Sequence, residues 1–302
     1  IMKIMVTGGR GFIGSHFVEL ALERGHSIVD FDSMTYCANS KLPWDDHKNY
    51  SHVKADIVDI KHLPFCDVIV NFAAETHVDN SITYSLDFAR TNFNGVHNLL
   101  NLLRGKVYER PYFVQISTDE VYGDIREGEF NESSPLKPSN PYSATKAAAE
   151  HLVTSYSRTY GIDYIITRSS NNYGPRQYEE KLISKTISCL RENRKIPLHG
   201  DGSYLRDWIY VKDNATAVLD LVESKIRNEI FNISGGLHLS NKQVVEQVCN
   251  WFGISDWQSY VVYTENRLGQ DLRYSISSSK LRDNGIMIPI KEKLYNFLGD
   301  TK

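Results

Sequence analysis

Two short stretches of this chain carry the residue types that acid–base chemistry needs. In Ser117-Thr118-Asp119-Glu120-Val121-Tyr122-Gly123 two carboxyl groups stand side by side, directly after an apolar run, Tyr112 to Ile116, that reads as a buried strand. Downstream, Tyr142 and Lys146 are four residues apart, so on a helix they share one face. A phenol beside an ammonium loses its proton more easily than a free one, because the nearby positive charge stabilises phenolate. That suits a base acting on an alcohol under oxidation, with Asp119 and Glu120 supplying an acid and a second base. Simpler readings exist for each part. Ser117 and Glu120 also have the spacing of a helix capping box with Asp119 in the first turn, and the tyrosine–lysine pair alone fits a helix surface.

Chemistry of this kind needs elements to hold it and a cofactor to take electrons. Lys3 to Thr7 reads as a strand, followed by Gly8, Gly11 and Gly14 and a helical pattern to about Glu23. Small residues between strand and helix let the backbone turn tightly and approach a pyrophosphate, which the helix N-terminus attracts. Phe12 and Ile13 lie within that turn. The second strand, Ser27 to Phe31, ends in Asp32, 18 residues after Gly14, with Ser33 and Thr35 just beyond. A carboxylate there bonds ribose hydroxyls and repels a 2′-phosphate, which favours NAD over NADP. Asp56 and Ile57 after the third strand are placed for the adenine edge, and Ala73, Ala74 and Thr76 after the fourth for the cofactor floor.

Strand-like runs recur at Tyr50–Lys54, Val68–Phe72, Tyr112–Ile116 and Tyr164–Thr167, with helical patterns at Asp87–Leu103 and Pro141–Tyr160. Alternation of this kind predicts an α/β fold: a Rossmann-type doubly wound parallel sheet covered on both faces. The stretch Asp59 to Cys66 is too short for a full helix. After Asn172 the chain is richer in loops, with helices expected near Glu179–Glu192 and Val211–Glu223, and it reads as a smaller mixed α/β substrate lobe. The expected division is 1–172 for cofactor binding and 173–302 for the substrate, with segments around 207–235 returning to the first domain.

Composition removes other classes. Hydrophobic content of 41% and charged content of 24% over 302 residues are those of an ordinary globular protein. A net charge of −3 argues against nucleic acid or an anionic membrane as partner, so phosphate binding must be local. Four cysteines without ligand spacing argue against a metal site or disulfide framework. No apolar run approaches a membrane span, and the chain opens straight into a strand, so a cytoplasmic protein is expected.

TGGxGFIGS (7–15) and YxxxK (142–146), with a Ser/Thr pair after a strand between them, resemble the extended short-chain dehydrogenase/reductases that act on nucleotide sugars. Within that group NFAAETHVDNSI (71–82), STDEVYG (117–123), NPYSATKAAAE (140–150), RSSNNYGPRQ (168–177), EKLI (180–183) and RDWIYVKD (206–213) are most similar to the dTDP-glucose 4,6-dehydratases. STDEVYG discriminates, since epimerases of the group lack its acid pair and the decarboxylases keep only the glutamate.

The resemblance implies a homodimer whose interface uses the helices at 87–103 and 141–160. It also implies C4 oxidation of a nucleotide-glucose by NAD, loss of water across C5 and C6, and return of the hydride to C6. Tyr142, with Lys146 lowering its pKa, takes the 4-hydroxyl proton and Thr118 bonds the same oxygen; Glu120 removes the C5 proton and a neutral Asp119 protonates the leaving hydroxyl. By the same matching Thr91 and Asn172 contact the cofactor, with Asn171 near the sugar. Lys181 and Leu182 flank the diphosphate, Arg206 clamps it, and Pro197 and His199 meet the base. Asn241, Arg267 and Asp271 close the nucleotide pocket, and His77, on its own a packed or hydrogen-bonded residue, joins the substrate set. RLGQD (267–271) replaces the proline and histidine of the usual RPGHD, a departure that bears on nucleotide or sugar selectivity.

Overall fold

The structure, a computed structural model, describes residues 1–106 and 108–294; residues 295–302 of the expected substrate lobe lie outside the described residues. The first half runs β1 (Lys3–Thr7), α1 (Phe12–Glu23), β2 (Ser27–Asp32), β3 (Tyr50–Lys54), β4 (Val68–Asn71), α2 (Val78–Thr83), α3 (Ser85–Phe88), α4 (Val96–Arg104), β5 (Tyr112–Thr118), α5 (Pro141–Tyr160), β6 (Tyr164–Ser169) and β7 (Asn171–Tyr173). The second adds α6 (Leu182–Arg191), β8 (Ile196–His199), β9 (Leu205–Tyr210), α7 (Val211–Glu223), β10 (Glu229–Ile233), β11 (Leu237–Ser240), α8 (Asn241–Trp251), β12 (Val261–Thr264) and α9 (Ser279–Asp283).

Seven strands pair in parallel in the order β10-β6-β5-β4-β1-β2-β3. Strands β4 and β5 are buried along their whole length, which is why their residues are nearly continuously apolar rather than alternating. On one face Phe17, Val18, Val218 and Leu221 pack against Val6 and Val70. On the other, Leu99, Leu100 and Val153 pack against Met5, Ile69 and Phe113. The expected doubly wound parallel sheet is present. Strand order reverses between β1 and β4, so a crevice opens beyond the carboxyl ends of the strands, where open α/β sheets bind ligands.

The later elements do not form a single block. Helix α7 lies against α1, where Arg24 donates to Asp220 at 2.8 Å and Glu223 at 2.6 Å, and β10 extends the large sheet beside β6. The rest builds a three-stranded sheet, β11-β9-β7, and a two-stranded one, β12-β8, over a core of Tyr173, Ile187, Trp208 and Val244.

Two local features set the reactive groups. Asn140 caps α5: its side chain accepts from the Ser143 amide, Pro141 occupies the first turn, and the helix stops at left-handed Gly161. Tyr142 is thereby fixed in the first turn. The expected helix from Asp87 to Leu103 is instead interrupted by a π-helical segment, Ala89–Gly95, between α3 and α4. Gly95 there lies so close to Ile57 that a Cβ would come within 2.7 Å of its Cγ1. Among the described residues no helix is long and apolar enough to cross a membrane.

Candidate active site

Two clefts meet at the carboxyl edge of the large sheet. The first, about 470 Å³, is lined by Gly8, Gly11, Asp32, Ser33, Thr35, Asp56, Ile57, Ala73, Ala74 and Thr91. Gly8 has φ +72°, and a Cβ on it would come within 2.7 Å of the Ala73 amide; a Cβ on Gly14 would collide with the Gly8 carbonyl. The turn can therefore be this tight only with glycine. Phe12 and Ile13 stand half-buried in the first turn of α1, outside the cleft lining. Asp32 accepts from the backbone amides of Arg10 at 3.0 Å and Met34 at 2.8 Å, which aims its carboxylate at the cleft edge. Asp56 pairs with Arg90 at 2.6 Å. A bare-backbone turn, a helix N-terminus and an anchored carboxylate fit a dinucleotide.

The second cleft, about 390 Å³, is lined by His77, Glu120, Asn171, Lys181, Leu182, Pro197, His199, Arg206, Asn241, Arg267 and Asp271, which brings together the residues expected at the sugar nucleotide. Thr76 and Asn172, expected at the cofactor, line this cleft instead. Asn172 is turned there by two bonds, donating to the Ser170 carbonyl at 3.0 Å and accepting from Asn214 at 2.9 Å. The Arg206 guanidinium is not a free fork: it donates to the carbonyls of Leu205 at 2.8 Å and Asp271 at 2.9 Å and lies 4.4 Å from the Tyr274 ring centre.

Strand β5 runs two residues further than its apolar run to Thr118, and the 3₁₀ turn Asp119–Tyr122 that follows brings Glu120 into the lining of the second cleft, with Thr118 and Asp119 beside it and outside both linings. The turn is capped, but by Thr118 rather than Ser117: the Thr118 hydroxyl accepts from the Glu120 amide at 3.2 Å and donates to Asp119 Oδ1 at 3.2 Å. Asp119 is 2% exposed, and its Oδ2 has no partner. Burial raises its pKa well above the ordinary carboxylate range, Glu120 and Asp207 add to the rise, and Arg206 opposes it. Burial also raises Glu120, but Arg206, Lys181, an Asn140 hydrogen bond and Arg267 all act to keep it ionised. Both carboxyls are thus shifted upward, Asp119 the more strongly, since the cations and the Asn140 bond that oppose the rise act mainly on Glu120.

The tyrosine–lysine expectation needs correction in one respect. Tyr142 is raised, not lowered, because burial dominates and Glu120 and Asp119 add to it, with the Thr118 hydroxyl pulling the other way. Lys146 donates to the Ile116 carbonyl at 2.6 Å, and burial lowers it to about 8.

A model of the family described as GDP-mannose 4,6 dehydratase matches residues 5–286. The chain belongs to that family. It is an enzyme of the 4,6-dehydratase type, a lyase. A low-salt glycan biosynthesis protein of Haloferax volcanii is 43% identical over 94% of this chain and 93% of its own. A dTDP-glucose 4,6-dehydratase of Streptomyces niveus is 40% identical over 93% and 86%. Among solved structures, a dTDP-glucose 4,6-dehydratase of Streptomyces venezuelae with NAD and TYD bound superposes with a TM-score of 0.91 at 38% identity, covering 96% of this chain and 93% of that one.

Several residues of the site carry no signal in linear sequence. Asn140 donates to Glu120 Oε2 at 3.5 Å, Tyr274 donates to Asp271 at 2.7 Å, and Asp79 pairs with Arg267 through both oxygens. Gln270, the residue in place of the usual histidine, lines the sugar cleft, whereas Leu268 points out and is 74% exposed.

Proposed function

We propose that this enzyme converts dTDP-glucose to the 4-keto-6-deoxy sugar with NAD as its cofactor. The observation that carries the reading is a pair of adjacent carboxyls at the sugar cleft, Glu120 in its lining among cations and Asp119 buried beside it with its pKa raised the more strongly. Elimination across C5 and C6 needs one acid and one base at once, and neither hydride transfer alone nor epimerisation does.

NAD, held by Gly8, Gly11, Asp32, Ser33, Thr35, Asp56, Ile57, Ala73, Ala74 and Thr91, supplies the hydride acceptor for C4 and the donor for C6. Tyr142 takes the 4-hydroxyl proton while Thr118 bonds that oxygen. Lys146, on the same helix face, is the cation able to offset the phenolate charge that burial disfavours. The C4 ketone acidifies the C5 proton, Glu120 removes it, and Asp119 gives its proton to the departing C6 hydroxyl, which leaves as water; as the hydride adds to C6, Glu120 returns the proton to C5. Lys181, Arg206 and Arg267, three of the four lysines and arginines that line the sugar cleft (Lys185 is the other), suit a diphosphate. Residues 1–172 with the returning α7 and β10 hold the cofactor, and the remaining described segments hold the sugar nucleotide together with His77, Glu120 and Asn171 of the first part.

The chain works as a homodimer through the outer faces of α4 and α5, which the mass in solution tests; a monomer at working concentration would refute it. Its cysteines are unpaired, in keeping with a reducing, cytoplasmic compartment.

The deciding experiment incubates purified protein with dTDP-glucose and, in parallel, GDP-mannose and UDP-glucose, reading products by mass. Loss of one water from dTDP-glucose supports the reading. Loss of water from GDP-mannose alone moves the substrate and keeps the chemistry. An isomer of unchanged mass from UDP-glucose makes the protein a 4-epimerase, the activity of a Thermus thermophilus enzyme that matches at 27% identity with a TM-score of 0.85.

A further inference from the structure

Arg10 occupies the variable position of the glycine-rich turn, yet its side chain is only 4% exposed. Every N–H of its guanidinium is occupied. Nε donates to the Asn39 carbonyl at 2.8 Å, Nη1 to Asp45 Oδ1 at 2.7 Å and the Tyr50 hydroxyl at 3.3 Å, and Nη2 to the Ser40 carbonyl at 3.0 Å and Asp45 Oδ2 at 3.1 Å. Its backbone is held as well: the amide donates to Asp32, and the carbonyl accepts from the Asn39 amide at 2.8 Å and side chain at 2.9 Å. The chain of bonds continues from Tyr50 to Asp30 Oδ2 at 2.9 Å, while Asp30 Oδ1 accepts from the Gly9 amide at 2.9 Å.

A hollow of about 280 Å³, lined by Arg10, Met34, Ser40, Asp45, Tyr50 and His52, lies behind Asp32. Asp32 stands between this hollow and the cofactor cleft, since it lines the cleft and its oxygens bind the amides of Arg10 and Met34, which line the hollow. Space beside the ribose carboxylate is what a 2′-phosphate needs, together with a cation to receive it. Burial and the Arg10 charge lower His52, so the one standing cation of the hollow is Arg10, and its donors are all taken.

We propose that Arg10 is a cofactor-selectivity residue: locked by Asp45 and Tyr50, it withholds its charge from the 2′ position and anchors Asn39 and Ser40, which follow directly on the Ser33–Ala38 wall of the cofactor cleft. Discrimination against NADP therefore rests on two devices, the repulsion from Asp32 and the sequestered arginine. Removing the first alone gives a site without repulsion and without a cation. Removing both lets Arg10 turn to a phosphate, for which its fork is well shaped.

The inference rests on dinucleotide binding by this chain, and binding rather than turnover tests it. Dissociation constants for NADH and NADPH are measured by fluorescence on the full-length protein, stripped of nucleotide, for wild type, Asp32→Asn, Asp32→Asn/Asp45→Asn, and the same double variant carrying Arg10→Met. Asp32→Asn alone is expected to bind NADPH poorly. Adding Asp45→Asn is expected to shift the NADPH:NADH preference roughly tenfold toward NADPH, the size of one charge-assisted hydrogen bond, and Arg10→Met is expected to abolish the gain. Tyr50→Phe frees one of the same N–H groups by deleting a single hydroxyl, and it is expected to shift the preference in the same direction if Asp45→Asn does not fold. A preference unchanged by either release, or a gain that survives Arg10→Met, overturns the inference. Failure of the wild type to bind NADH at all overturns the cofactor reading itself, a separate outcome.

Discussion

Lys146 Nζ donates to the carbonyl of Ile116 at 2.6 Å, two residues before Thr118 on the same strand. The bond ties the helix that carries Tyr142 to the strand that carries the two acids, and it is made inside the protein, where Lys146 is 5% exposed. With its pKa lowered to about 8, the side chain is still an ammonium at pH 7. Lys146→Met removes that charge and one donor to the Ile116 carbonyl, which keeps the bond from Gln115 Nε2 at 3.2 Å. Turnover is expected to fall about 10²–10⁴-fold, the usual worth of assisted proton transfer. Tyr142→Phe is expected to fall as far with the melting temperature kept, because the ring still packs against Phe88 at 6.4 Å. Steady-state rates and thermal melts check both, and near-wild-type turnover in either variant would remove that residue from the chemistry.

Asp119→Asn is expected to separate the two halves of the proposed reaction. An amide keeps the shape and the bond from Thr118 but has no proton to give, so elimination is expected to slow about 10²–10⁴-fold. On the proposed roles, oxidation at C4 does not use this group. Rapid mixing with substrate should therefore show NADH absorbance building up and persisting in the variant. If NADH formation falls in step with product, Asp119 serves binding or C4 chemistry and the assignment of the acid is wrong.

Periodicity and turn chemistry made most of the large sheet legible. Strands β1 and β3 and helices α5 and α7 stand where Lys3–Thr7, Tyr50–Lys54, Pro141–Tyr160 and Val211–Glu223 place them, because a local rule governs each: an apolar run, a cap, a following glycine. The π-helical segment Ala89–Gly95 was not legible, and it packs its Gly95 against Ile57, 38 residues away in the chain, a contact no local rule reveals. That Thr76 and Asn172 line the sugar cleft was not legible for a related reason: consecutive residues, Glu75 and Thr76, line different clefts, and spacing does not tell which side a residue faces. The sense of the Tyr142 shift was misjudged because an ammonium four residues away is visible in sequence, whereas burial and the direction of Lys146 are not.

Asp30 gives a pH dependence with a definite sign. Burial raises its pKa to about 7 from an ordinary 3.8, against the bonds from Tyr50 and Gly9, with Asp32 adding to the rise. Between about pH 4 and pH 7 the folded chain holds a proton that the unfolded chain has released, so this group makes stability fall as pH rises, and the loss levels off above 7. Asp30→Asn is neutral at every pH and keeps an acceptor for the Gly9 amide. Urea midpoints at pH 5 and pH 8 are expected to show wild type losing on the order of 2–4 kcal/mol relative to the variant across that window. Parallel pH profiles for the two proteins would show that Asp30 titrates in its ordinary range.

Arg168 and Glu150 form the most buried ion pair described here, at 4% and 2% side-chain exposure. Arg168 Nε and Nη2 reach Glu150 Oε2 at 3.0 and 2.6 Å, and Nη1 donates to the Tyr122 hydroxyl at 2.7 Å. Tyr122 closes the turn that carries Asp119 and Glu120, and Glu150 lies one helical turn beyond Lys146, so the pair sets the distance between the acid pair and the Tyr142–Lys146 face. Glu150→Ala leaves a guanidinium buried without its counter-ion and is expected to cost about 3–5 kcal/mol of stability. Replacing both, as Glu150→Leu with Arg168→Met, is expected to restore much of that stability, because a packed apolar pair carries no desolvation penalty. Turnover should not return with it, since Tyr122 loses its donor and the two catalytic stretches lose their link. Urea denaturation and turnover on the same three proteins decide the matter. A double variant both stable and fully active would make the pair a structural filler rather than a positioning device.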